Sequence, residues 1–207
     1  LKFKFTVVFV LITQVFFAQI GTEKTWEANG IKTVAIAGQN VFKIKVSNTR
    51  SNTVELKVKI EGEYAKHVVI LDSFSNETLS ISASFQPLFK DDNDKLSAHK
   101  VLSVEYELTV PKRMALDIKS DIASVKVIGA YHSVFIELHQ GNCNLKDFLG
   151  DATVNTIDGN IAIQTNNAKV EAFSKTGTIQ NKQFKYGKYN ISCHTINGDI
   201  NVTKIEK

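Results

Sequence analysis

Asp158-Gly159-Asn160-Ile161 and Asn197-Gly198-Asp199-Ile200 are two of four related segments; the others are Gln140-Gly141-Asn142-Cys143 and Thr176-Gly177-Thr178-Ile179. Their glycines fall at intervals of 18, 18 and 21 residues. Self-similarity near a twenty-residue period is the signature of stacked backbone coils, each burying its apolar side against the next. Aligned on glycine, the segments set up two inward columns. Ile136, Val154, Ala172 and Cys193 precede the corner, and Cys143, Ile161, Ile179 and Ile200 follow it. Ser120-Asp121-Ile122 fits as an earlier coil without its glycine, so about five coils are expected. Gly129 and Gly150, again 21 residues apart, mark a second corner in the early coils. Asp-Gly and Asn-Gly also favour hairpin turns. Hairpins, however, would repeat similar strands every ~8–12 residues, and the observed match is longer.

Working outward, the N-terminal half reads as longer strands. Val54, Leu56, Val58 and Ile60 alternate with Glu55, Lys57, Lys59 and Glu61, and Leu102, Val104, Tyr106, Leu108 and Val110 alternate likewise. One apolar and one polar face per strand predicts an antiparallel sheet packed on one side and wetted on the other. No window sustains helical apolar spacing. The expected fold is all-β: a short β-solenoid of about five coils over residues 112–207, capped by an antiparallel β region over 19–111. At ~4.8 Å per coil the stack would stand roughly 20–25 Å tall. The far end, near Val202 and Ile205, is left as an edge and invites self-association.

Residues 1–18 have a different character. Lys2 and Lys4 precede an apolar run over 5–18 that closes on Ala18, the layout of a secretory signal peptide cut before Gln19. The run is short of the ~20 residues a spanning helix needs, so no membrane span is expected after cleavage. The formal charge is +4 with lysines spread along the chain; this gives no basic patch for nucleic acid. The two cysteines, Cys143 and Cys193, fall in different inward columns and read as buried thiols rather than a bridge.

The sequence carries no nucleophile elbow, phosphate-binding loop or zincin motif. The histidines His67, His99, His132, His139 and His194 lack metal-ligand spacing. The acidic run Lys90-Asp91-Asp92-Asn93-Asp94-Lys95 lacks the glycine and closing glutamate of a calcium loop. Asp121, Asp158 and Asp199 stand near corners, where such residues bond backbone more often than they catalyse. No catalytic residue, cofactor or metal is expected. Phe184, Tyr186 and Tyr189 cluster around Gly187 in the widest interval between coils and form the candidate contact surface.

Tyr106-Glu107-Leu108-Thr109-Val110-Pro111, residues 116–122 and the Gly-Asp-Ile-like turns together resemble the bacterial putative-adhesin family of unknown function. The related head-domain adhesins of Bacteroidetes look similar. The resemblance covers roughly residues 100–207 and implies an exported or envelope-associated β-solenoid with no catalytic residues to carry over. The expected function is therefore non-catalytic adhesion or scaffolding at the cell envelope, with an envelope protein or polysaccharide as partner. An envelope-stress sensor and a carbohydrate-active β-helix enzyme are the alternatives.

Overall fold

In a computed structural model of the chain, residues 20–87, 102–184 and 187–206 are described. The signal peptide expected at residues 1–18, most of the polar 86–100 connection and Tyr186 lie outside them. The described residues are all-β, forming one curled, half-barrel sheet of fifteen strands, with a single 3-10 turn at Ala65–His67. The strands are β1 (Ile20–Glu27), β2 (Thr33–Ala37), β3 (Lys43–Thr49), β4 (Thr53–Gly62), β5 (Val68–Ser75), β6 (Thr78–Phe85), β7 (Leu102–Pro111) and β8 (Ala115–Ser120). Two long strands follow, β9 (Ser124–Gln140) and β10 (Cys143–Asp158). Then come β11 (Ile161–Thr165), β12 (Ala168–Ser174), β13 (Ile179–Asn181), β14 (Tyr189–Asn197) and β15 (Ile200–Lys204).

β1, β4 and β7 pair antiparallel, as do β5 and β6. The N-terminal region is nevertheless not wholly antiparallel. β2 lies parallel to β6 and β8, and β3 lies parallel to β7 and β9. Alternation fixes which face of a strand is buried but carries no information on its direction, which is why the sequence misses this. Pairing of β2 with β8 and β3 with β9 carries the sheet across residue 111 without a break.

From β8 onward all the pairing is parallel, and it brings the glycine-aligned residues into register. Ile118, Ile136, Val154, Cys193 and Ala172 are successive neighbours on one side of the corner. Val125, Cys143, Ile161, Ile200 and Ile179 are successive neighbours on the other. The spatial order departs from the chain order. β14 and β15 lie between β10–β11 and β12–β13, so the last corner in sequence sits inside the one before it. Composition supplies the reason. The inner tier offers Ile191, Cys193, Ile200 and Val202, all buried. The outer tier offers Val170, Ala172, Ile179 and, at the position of Val202, Asn181. Putting the more apolar tier between two neighbours buries several more methylene equivalents, each worth about 0.8 kcal/mol.

The corners follow a local chemistry that explains the Gly-Asn and Gly-Asp pairs. The Asn142 side chain accepts the Asn160 backbone N–H at 2.9 Å, and Asn160 accepts that of Asp199 at 2.8 Å. Asp199 in turn accepts the Thr178 N–H at 2.7 Å. Each side-chain oxygen therefore ties its corner to the next in space. Inward hydroxyls add a second tie. Ser120 donates to the Gly38 carbonyl at 2.7 Å, Thr195 to that of Gly159 at 3.1 Å and Ser174 to that of Gly198 at 2.7 Å. These three corner hydroxyls thus find partners, whereas the equivalent hydroxyl of Thr156 is buried without one.

Cys143 and Cys193 are free and buried, in line with the column argument. Burial pushes the Cys193 thiol up to about 12 and raises Cys143 as well, with the Cys193 thiol adding to the latter. Burial also raises the phenols of Tyr106 and Tyr131. The unfolded chain releases thiol protons near pH ~8.5 and phenol protons near ~10, whereas the folded chain retains them. Above the unfolded values the native state binds more protons, so stability falls as pH rises. We expect the urea midpoint to be flat through neutral pH and to decline progressively from about pH 9 toward 12. Ellman's reagent at pH 8 should find no reactive thiol until urea is added, and then both. A thiol that reacts in the native protein would contradict the burial.

Candidate functional site

The two outer faces of the curled sheet differ in how their polar groups are satisfied. On the face carried by β1, β4, β7 and β3, charges pair across strands and, for Lys59 and Glu61, along β4. Lys45 meets Glu107 at 2.6 Å, Lys43 meets Glu105 at 3.4 Å, Lys59 meets Glu61 at 2.8 Å and Lys57 meets Glu23 at 3.4 Å. The Lys45 ammonium holds the Glu107 carboxyl below its usual range, and the Glu61 carboxylate raises Lys59. Exposed pairs of this kind contribute little stability. They do leave a face with few unpartnered groups.

The other face, carried by β8, β9, β10, β14 and β12, is built differently. Outward residues of a strand stand at alternate positions, so register lines them up in rows that cross the strands. One row runs Lys119, Glu137, Asn155, His194 and Phe173. The next contains His139, Ile157 and Ile196. Between the two rows lies a groove, with Leu138, Thr156 and Thr195 forming its floor. Its apolar half encloses about 380 Å³ and includes Ile157, Ile196 and Phe173. Its polar half encloses about 300 Å³ and includes Lys119, Asp121, Glu137 and His139. Glu137 and His139 line both halves, which adjoin there.

Phe173, Ile157 and Ile196 are 57%, 43% and 43% exposed, high for large apolar side chains on a regular sheet. The Phe173 ring lies 6.3 Å from that of His194. His139 is fixed by a 3.1 Å contact from Nδ1 to Asp121, and the Lys119 ammonium sits 5.5 Å over the Phe135 ring. Among the described residues the side chains of Glu137 and Asn155 have no hydrogen-bond partner, and His194 has only its ring contact.

The residues singled out from sequence fall elsewhere. Phe184 and Tyr189 are half-buried and packed against the hydrophobic core, with Lys188 Nζ lying 5.2 Å over the Tyr189 ring. Asp158 accepts from Asn197 Nδ2 at 2.6 Å. Asp199 takes both the N–H and, at 2.9 Å, the hydroxyl of Thr178, which together hold its carboxyl below its usual range. Asp158 and Asp199 are thus each engaged by a residue of the neighbouring corner. Among the described residues no group of three or more His, Cys, Asp or Glu could hold a metal ion. No helix among them is long and apolar enough to cross a membrane.

No known protein family and no curated protein matches the chain in sequence. The fold is similar to the crystal structure of a "putative cell adhesion protein" from Clostridium sporogenes, with a TM-score of 0.65 at 14% identity. That similarity covers 91% of this chain and 100% of the other. A "putative adhesin" from Bacteroides fragilis gives a TM-score of 0.43 at 9% identity, over 90% of this chain and 97% of the other. A "putative lipid binding protein" from Parabacteroides distasonis gives 0.27 at 11% identity, over 90% and 97%. At those last two TM-scores the likeness is slight. The class defined is an all-β protein sharing the fold of the Clostridium protein.

Proposed function

We propose that the protein is an exported, non-catalytic binding protein of adhesin type, a short β-solenoid whose cross-strand groove is the contact surface. The observation that carries this reading is the contrast between the two outer faces. One satisfies its own charges, while the other leaves Glu137 and Asn155 unpaired beside exposed Phe173, Ile157 and Ile196. Such a mixture on a rigid strand scaffold suits recognition: apolar residues contribute affinity and polar ends set orientation. The description of the Clostridium neighbour as a cell adhesion protein supports the reading. The signal-peptide layout of residues 1–18 supports export.

Two measurements test it. The full chain, produced in a secreting bacterium, should be recovered outside the cytoplasm with Gln19 as its first residue; recovery with residues 1–18 intact from the cytoplasm would contradict export. A Phe173→Ala/Ile196→Ser variant with unchanged thermal midpoint should bind isolated cell-envelope material about tenfold or more weakly, a loss of about 1.4 kcal/mol or more. Undiminished binding would move the contact surface off the groove.

A further inference from the structure

We infer that the groove takes an internal segment of a linear, uncharged glycan; the inference rests on the binding reading above and names its ligand class. The direction of the groove is the first argument. It crosses the strands instead of following an edge, and the backbone beneath it is paired on both sides in parallel ladders from β8 to β14, with β12 as the edge strand at its end. An extended peptide lying there would find no main-chain donors or acceptors, and burying its amides unpaired is costly. Strand addition, the usual way to satisfy such a peptide, needs a free edge. A sugar ring has no such demand, since it offers an apolar C–H face and a rim of hydroxyls that remain partly in water.

The lining matches those two surfaces. Phe173, Ile157 and Ile196 provide an apolar wall, and Asn155, Glu137 and His194 bring amide, carboxylate and imidazole groups to the same channel. An amide and a carboxylate side by side can donate to and accept from neighbouring hydroxyls. The charges argue against a polyanion. Lys119 is balanced by Glu137, and His139 is paired with Asp121, so no net cationic field would draw one in. Length supplies the last point. Five adjacent strands, β8 to β12 in spatial order, extend about 19 Å at ~4.8 Å per strand. That exceeds a single ring and implies a chain running through.

The test is native gel electrophoresis of the full chain through gels containing mannan, xylan, a β-glucan or polygalacturonate. At least one uncharged polysaccharide should retard the protein, and the retardation should persist in about 0.5 M salt, where exposed charges are screened. Phe173→Ala and Asn155→Ala should each weaken it about fivefold or more, whereas Lys57→Ala on the opposite face should leave it unchanged. Retardation by polygalacturonate alone, abolished by salt, would overturn the ligand class. So would the absence of any retardation in a protein that still binds envelope material through Phe173; in that case the contact reading itself survives. Binding indifferent to both Phe173 and Ile196 would remove both.

Discussion

Gly159→Ala is expected to destabilise the protein by about 3 kcal/mol, near the top of the usual range for overpacking. For a chain of this size that corresponds to a fall of roughly 6–12 °C in thermal midpoint. The cause is close approach of backbone and does not depend on φ. A Cβ on Gly159 would be driven into the Gly141 carbonyl oxygen, and one on Gly198 into that of Gly159. Neither partner is the end of a flexible side chain. The peptide groups are held by the corner ties from Asn142 to Asn160 and from Thr195 to the Gly159 carbonyl. Relief would require separating two tiers that the rest of the ladder keeps at hydrogen-bonding distance. Gly21→Ala is the control, since nothing lies within 4 Å of its would-be Cβ; it should change stability by no more than about 0.5 kcal/mol. Equal midpoints for the two variants, measured by circular dichroism, would mean that the corners are not stacked glycine on carbonyl.

That stacking is also why the glycine spacing could be read at all. A corner that admits no Cβ leaves a fixed residue type in the sequence, and Asn142, Asn160 and Asp199 mark the same corner because their oxygens reach the next N–H. Inward residues such as Val154 and Ile161 were legible because burial demands apolar side chains at alternate positions. Outward positions carry no such demand. Asn155, Ile157, Phe173, His194 and Ile196 are scattered over 42 positions of the chain. Only the parallel register brings Phe173 beside His194, and the placing of the last tier inside the previous one sets Phe173 at the end of that row. No local pattern announces the groove. The aromatic cluster at Phe184 and Tyr189 was locally conspicuous, and both described rings are half-buried against the core. Strand direction in β2 and β3 was hidden for a related reason, because alternation is unchanged when a strand is reversed.

The spatial order of the last two tiers makes the second large prediction, and one pair of residues isolates it. Ile200 and Ile179 are direct neighbours in the same column, each at the same place after its glycine. If tiers followed chain order, Ile179 would lie inside and Ile200 would close the open end. The observed exposures are the reverse, 1% for Ile200 and 43% for Ile179. Ile200→Ala should therefore cost about 3 kcal/mol, the transfer free energy of the lost methylenes plus the cavity left between Ile161 and Ile179. Ile179→Ala removes the same atoms from a site already half in water and should cost about 0.5 kcal/mol. Urea denaturation of both variants, with equal m-values, reads the difference directly. A larger loss for Ile179→Ala would restore chain order. It would also separate Phe173 from its place beyond His194 at the end of the groove. The same two substitutions thus test the fold and the geometry on which the groove depends, because one crossing of the chain produces both.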